Sequence, residues 1–166
     1  MKQTLSIVWF KRDLRVQDHA PLLAAAQTGN AVLPLYVVEP ELWQQPNASR
    51  RHWHFIHDCL AQLNIDLANL GQPLCIQTGD MCDILTKLNE QHTIKDIFAH
   101  EETGNLWSFA RDLNVHEFCR QKRILFHEFP ANGVVRRLSN RDDWAKIRNS
   151  RMAEPIKPKP PHLKPL

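Results

Sequence analysis

Five short apolar runs alternate with helix-like segments along most of this chain, and that alternation constrains its fold more than any other feature. Leu5–Phe10 and Ala31–Val38 are nearly continuous in apolar residues, the pattern of strands buried on both faces of a parallel sheet. Pro73–Gln77, Ile94–Ala99 and Ile124–His127 are shorter runs read the same way. Strand–helix, repeated four times and closed by a last strand, implies right-handed crossovers between parallel strands. The expected fold is α/β: a doubly wound five-stranded parallel sheet, Rossmann-like in its order 3-2-1-4-5, with helices on both faces.

The helices have their own signals. Ala20–Gln27 is rich in Ala and Leu, with Asp18 as the expected cap, Pro21 in the first turn and Gly29-Asn30 as the stop. Ser49 precedes Trp53, Ile56, Leu60, Leu63, Leu67 and Leu70, which recur at spacings of 3 and 4 and form one helical stripe ending at Gly71. Asp80 caps a short helix with Ile84, Leu85 and Leu88, and Thr103–Gln121 reads as a less periodic helix. In such a sheet ligands sit at the carboxyl ends of the strands, so the loops of interest are Lys11–Asp18, Glu39–Ser49, Gly79-Asp80 and His100–Trp107. After Phe129 the pattern dissolves. Residues 155–165 hold five of the eleven prolines among interleaved lysines, which reads as an extended, solvated linker. The expected division is residues 1–130 as the α/β domain and 131–166 as a connection to something further.

Composition excludes several classes. At 43% hydrophobic and 23% charged residues, the chain matches an ordinary globular protein that needs no disulfide or metal to fold. Met1–Phe10 is too short for a secretory signal and is followed at once by Lys11, Arg12 and Asp13; no stretch approaches a membrane span, so a cytoplasmic location is expected. Cys59, Cys75, Cys82 and Cys119 form no CxxC pair and read as reduced thiols. His54 and His57 share a helix face, but two histidines alone do not complete a metal set, and no metal site is expected. The net charge is +3, dispersed apart from short clusters such as Lys11-Arg12 and Arg136-Arg137, so the DNA affinity of this chain alone is expected to be weak. No Gly stands between Met1 and Thr28, which removes a dinucleotide fingerprint or P-loop after the first strand, and no GxSxG elbow is present. No generic signal of catalysis remains.

Trp9-Phe10-Lys11-Arg12-Asp13-Leu14-Arg15, followed by Asp18, resembles the opening strand and loop of the photolyase/cryptochrome family. The likeness continues in order. Leu33–Pro40 resembles the second strand, Ser49-Arg50-Arg51 with Phe55, Leu60 and Leu63 the long second helix, and His100–Asn105 with Ala110-Arg111-Asp112 the fourth strand end and following helix in a bacterial branch. Asn132–Arg137, with Ser139, Arg141, Asp142 and Trp144, is similar to the entry to the interdomain connection.

The resemblance implies the N-terminal α/β domain of a light-driven DNA-repair flavoprotein, holding or bordering a light-harvesting antenna or a vestige of one. Family members continue into a helical domain that binds FAD and docks damaged DNA; the resemblance therefore implies that this chain alone is not catalytic and that its partner is that domain. A flavin-type antenna pocket maps by resemblance to Arg12, Tyr36, Val38, Arg51, Glu101 and Glu102. A deazaflavin or flavin fits better than a folate, because Trp107-Ser108 stands where folate-binding members carry Asn-Glu; Trp107 filling the cleft would leave it with no antenna. Plainer readings stay open: Arg12-Asp13-Arg15 as an ion-paired loop brace, Tyr36 as core, Arg51 as a solvated helix residue. Two other functions also stay open, a cryptochrome-like photosensor without repair activity and a free-standing nucleotide-binding or interaction domain.

Overall fold

The computed structural model describes residues 2–136 and 138–166. Arg137, named above in a basic pair and in the family likeness, lies outside the described residues. Five strands run β1 Thr4–Phe10, β2 Ala31–Val38, β3 Cys75–Thr78, β4 Thr93–His100 and β5 Leu125–Phe129. All pair in parallel, in the order β3-β2-β1-β4-β5. The helices are α1 Ala20–Ala26, α2 Pro40–Trp43, α3 Arg50–Asn69, α4 Met81–Gln91, α5 Leu106–Lys122 and α6 Trp144–Met152. The expected order and the two helical layers are both present.

Each face of the sheet has its own core. Leu5, Ile7, Trp9, Leu33 and Leu35 pack with Met81, Leu85, Val115 and Cys119 of α4 and α5. Val8, Phe10, Val32 and Tyr36 pack with Leu22 of α1 and Leu60, Leu63 and Leu67 of α3. Alternate residues of β1 therefore serve opposite cores, as the two-residue period of a strand requires. Pro34 in β2 stands opposite Val8, one position before the pairing with β3 begins at Leu35, where β2 still has an open edge and a missing N–H is tolerated.

Three expectations need correction. The cap of α1 is His19, whose Nδ1 accepts from the Leu22 N–H at 3.0 Å; Asp18 instead takes a left-handed φ of 52° and serves a different contact. Helix α5 begins at Leu106, because the Asn105 side chain accepts from the Ser108 N–H at 2.9 Å and sets the start there. The segment after α6 is extended and mostly exposed, but it is docked on the domain rather than free. Leu163 is fully buried in the α1/α3 core, and its N–H donates to the Leu70 carbonyl. The strap is held along its length, by Asp18 N–H to the Lys157 carbonyl and by Val32 N–H to the Lys164 carbonyl. Gly71 accommodates it: φ is 104°, and a Cβ there would stand 3.0 Å from the Leu163 carbonyl oxygen. The apolar pattern missed this docking because one leucine among prolines and lysines has no periodicity. Helices α2 and α6 were also unforeseen; α2 is a single turn opened by Pro40, and α6 buries no residue.

Candidate functional site

β1 and β4 are neighbours in the sheet, yet the chain leaves them toward opposite sides, so their following loops diverge and leave a crevice between them. A cleft of about 160 Å³ lies there, lined from the β1 side by Lys11, Arg12, Asp13 and Arg15 and from the β4 side by His100, Glu101, Glu102 and Thr103.

Asp13 is the hub of the cleft wall. One carboxylate oxygen accepts from the Lys11 N–H at 2.9 Å, and the other lies 2.5 Å from His100 Nδ1. His19 Nε2 stands 2.8 Å from that second oxygen, off the axis of a straight hydrogen bond. Burial alone would raise the Asp13 pKa, but the hydrogen bond from His100 and the close approach of the His19 ring hold it well below the usual carboxylate range. Burial lowers the pKa of His19. The three side chains are close enough to suggest a metal site. The His19 tautomer argues otherwise: Nδ1 already spends its lone pair on Leu22, so neutral His19 carries its proton on Nε2, the atom that would have to bind the ion.

Behind the cleft lies a denser ion network. Arg111 of α5 donates to Glu39 at 2.6 Å, to Asp112 at 2.9 and 3.1 Å, and to Glu102. Lys11 reaches the other Asp112 oxygen at 3.1 Å. The Trp9 ring carries Lys11 at 4.5 Å and Arg111 at 4.8 Å, and the Trp107 ring covers Arg111 at 5.6 Å. Two buried cations thus face three buried carboxylates. The imbalance falls on Glu39, whose Oε1 is buried without a partner. Burial pushes its carboxyl up to about 7, against the pull of Arg111. Burial and the nearby Glu39 raise Tyr36 to about 12.

The sequence-derived site residues divide. Arg12, Glu101 and Glu102 line the cleft, and Arg12 Nε holds Glu102 at 3.1 Å. Trp107 joins the network through Arg111 and through Nε1 to Glu41 at 3.2 Å. Tyr36 and Val38 pack against the α1/α3 core. Arg51 is exposed on the first turn of α3. Asp13, His19, His100, Glu39 and Arg111 were not assigned to the site. The legible clue was in α5, where Ser108, Arg111, Asp112, Val115 and Cys119 are its buried residues. A polar triplet sharing an inward face with Val115 marks a buried network.

A doubly wound domain with a polar cleft at its switch point is the class this geometry defines. The DNA photolyase family profile matches residues 6–144, and the chain belongs to that family. It is 36% identical over 105 residues to a chloroplastic/mitochondrial cryptochrome DASH of Solanum lycopersicum, covering 60% of this chain and 18% of that protein. Among solved structures, a bacterial class III photolyase from Agrobacterium tumefaciens superposes with a TM-score of 0.84 at 22% identity, over 100% of this chain and 36% of that one. An archaeal photolyase from Sulfolobus tokodaii, solved with two FAD molecules and described as implying a novel light-harvesting cofactor, superposes with a TM-score of 0.76 at 20% identity, over 96% of this chain and 37% of that one. The chain therefore spans about a fifth to just over a third of these proteins. No helix among the described residues is long and apolar enough to cross a membrane.

Proposed function

We propose that this chain is the light-harvesting domain of a light-driven DNA-repair flavoprotein. It would hold a flavin- or deazaflavin-type antenna and pass excitation to an FAD bound by a helical domain beyond these residues. The observation that carries this reading is the cleft between β1 and β4, at the position where open α/β sheets bind ligands, with a polar wall already fixed by Asp13. The light-harvesting cofactor described for the Sulfolobus tokodaii photolyase supports it by analogy of fold. The domain does no bond chemistry in this reading; FAD photochemistry and the docking of damaged DNA belong to the further domain.

A fluorescence titration of the purified chain with FMN, a deazaflavin and a reduced folate tests the proposal. Saturable binding of a flavin-type compound, with the folate weaker, is the expected result. Failure of all three to bind would leave the domain a scaffold. The likeness to cryptochrome DASH favours a second reading, a blue-light photosensor. Illuminating the full-length protein with dimer-containing DNA separates the two: light-dependent loss of dimers supports repair, and its absence supports sensing.

A further inference from the structure

We propose that a second cavity, between the strap and the carboxyl-terminal half of α3, binds a small zwitterion with a short apolar body, the chemistry of a free amino acid of about leucine's size. This cavity shares no lining residue with the cleft between β1 and β4, and the proposal does not rest on the antenna reading.

The strap makes the cavity. It is fastened at Lys157, whose carbonyl accepts from the Asp18 N–H, and again at Leu163, whose N–H donates to the Leu70 carbonyl. Residues 158–162 between these points make no hydrogen bond among the described residues. Pro158, Pro160 and Pro161 have no N–H to offer and keep the backbone extended, so this stretch spans the side of α3 without settling onto it. The space left is about 310 Å³, within the roughly 300–1,000 Å³ usual for ligand pockets. Its inner wall is apolar: Leu70 and Pro160 are buried and Val16 is half-buried. Its outer walls carry opposite charges. Asp66 of α3 accepts from Gln62 at 3.1 Å through one oxygen and keeps the other. Lys159 of the strap has no acceptor among the described residues, and the Asn69 amide has no partner there. Asp66 and Lys159 thus line one cavity without forming an ion pair.

These groups select a ligand with two unlike ends. The free Asp66 oxygen and the Asn69 carbonyl accept from an ammonium group; Lys159 and the Asn69 N–H groups donate to a carboxylate. A simple amine leaves Lys159 unused, and a simple carboxylate leaves Asp66 unused and meets its charge. A short branched body between the two ends covers Val16, Leu70 and the Pro160 ring. The consequence is mechanical. A ligand held by both walls ties residues 158–162 to α3, where the chain itself makes no bond. Strap opening then requires ligand release, and the Leu163 N–H, at the next fastening, reports that opening.

The test is calorimetric titration of the chain with leucine, isocaproate and isoamylamine, the last two carrying leucine's branched body with one charge each. Leucine should bind saturably with a Kd of about 0.1–1 mM, about tenfold tighter than either fragment. At about ten times its Kd, leucine should slow amide exchange at Leu163 about tenfold. Asp66→Asn and Lys159→Gln, neither at a buried position, should each weaken leucine about tenfold while leaving the unfolding midpoint of the free chain unchanged. No saturation by about 20 mM leucine, or a fragment that binds as tightly as leucine, would overturn the proposal. Leucine binding that survives both substitutions, or that leaves Leu163 exchange unaltered, places the ligand elsewhere and overturns it too.

Discussion

At the carboxyl ends of β1 and β4 the interior is charged: Lys11, Asp13, His100, Glu102, Arg111 and Asp112 meet there, and Glu39 Oε1 is left without a partner. At the amino ends of β2 and β3 the interior is apolar and is closed by a strap, Leu163 inserting beside Gly71 while Lys164 caps the Val32 N–H. Both ends exclude water, by different physics. Apolar closure stabilises in proportion to the area buried. A buried ion network has to offset the desolvation of every charge in it, and adds little net stability while demanding that all members be present. The strap end is built to hold, and the network end to present groups in fixed positions.

The largest effect should come from Arg111→Met. It leaves Glu39, Glu102 and Asp112 facing each other with Lys11 as the one remaining buried cation among the described residues and the more exposed Arg12 and Arg136 at the edge. A loss of about 3–5 kcal/mol in urea unfolding is expected, with much of it recovered by adding Glu39→Gln. A loss under about 1 kcal/mol would mean that water reaches the network and that the two ends are not different in kind. Leu163→Ala comes next. Its side chain is fully buried, so a loss of about 2–4 kcal/mol is expected. No change in the unfolding midpoint would restore the solvated-linker reading of residues 155–165.

The pH dependence separates the two walls of the charged end. Asp13 is held low, so its contribution is full above the ordinary carboxylate value of 3.8 and is lost only as pH falls below it; His19 is lowered, so its contribution is full above the ordinary histidine value of 6.5 and is lost as pH falls. Glu39 runs the other way. Raised from 4.5 to about 7, it is favourable to the fold at low pH and loses that contribution as pH rises through 7. A pKa that differs by one between the folded and unfolded chain corresponds to about 1.4 kcal/mol of stability. His19→Asn keeps a cap for the Leu22 N–H without titrating, and should flatten the acid limb; Glu39→Gln should flatten the neutral limb. Urea midpoints at about pH 5, 6.5 and 8 check both. A variant curve parallel to the parent's would remove that residue from the linkage.

The two ends also differ in how far they could be read in advance. The sheet and its order were legible because buried parallel strands leave continuous apolar runs, and the α3 stripe was legible because Leu60, Leu63 and Leu67 share one face. The loops after β1 and β4 were legible from the strand order, and Arg12, Glu101 and Glu102, which line the cleft, were singled out within them by the family resemblance. The rest depends on contacts between distant positions. Arg111 meets Glu39 across 72 residues and His100 meets Asp13 across 87, and no local pattern encodes either pairing. Leu163 was missed for the same reason, since its partners are Leu70 and Gly71.

The smallest expected effect lies where the two ends join. Asp18 has a left-handed φ of 52°, its N–H donates to the Lys157 carbonyl, and its carboxylate accepts from the Lys157 N–H at 3.1 Å. It thus clasps the strap to the loop that carries Asp13 and Arg15 into the cleft. Asn tolerates this backbone and can offer the same acceptor, so Asp18→Asn should change stability by less than about 0.5 kcal/mol. Asp18→Ala loses the acceptor and keeps the strain, and should cost about 1–2 kcal/mol. Amide hydrogen exchange decides whether the clasp couples the two ends. Faster exchange at both Lys157 and Arg15 in Asp18→Ala means that the strap helps to hold the cleft loop, because the Arg15 N–H bonds to the Asp13 carbonyl and opens only if that loop does. Acceleration at Lys157 alone means that the two closures are independent, and that the ion network positions the cleft without help from the strap.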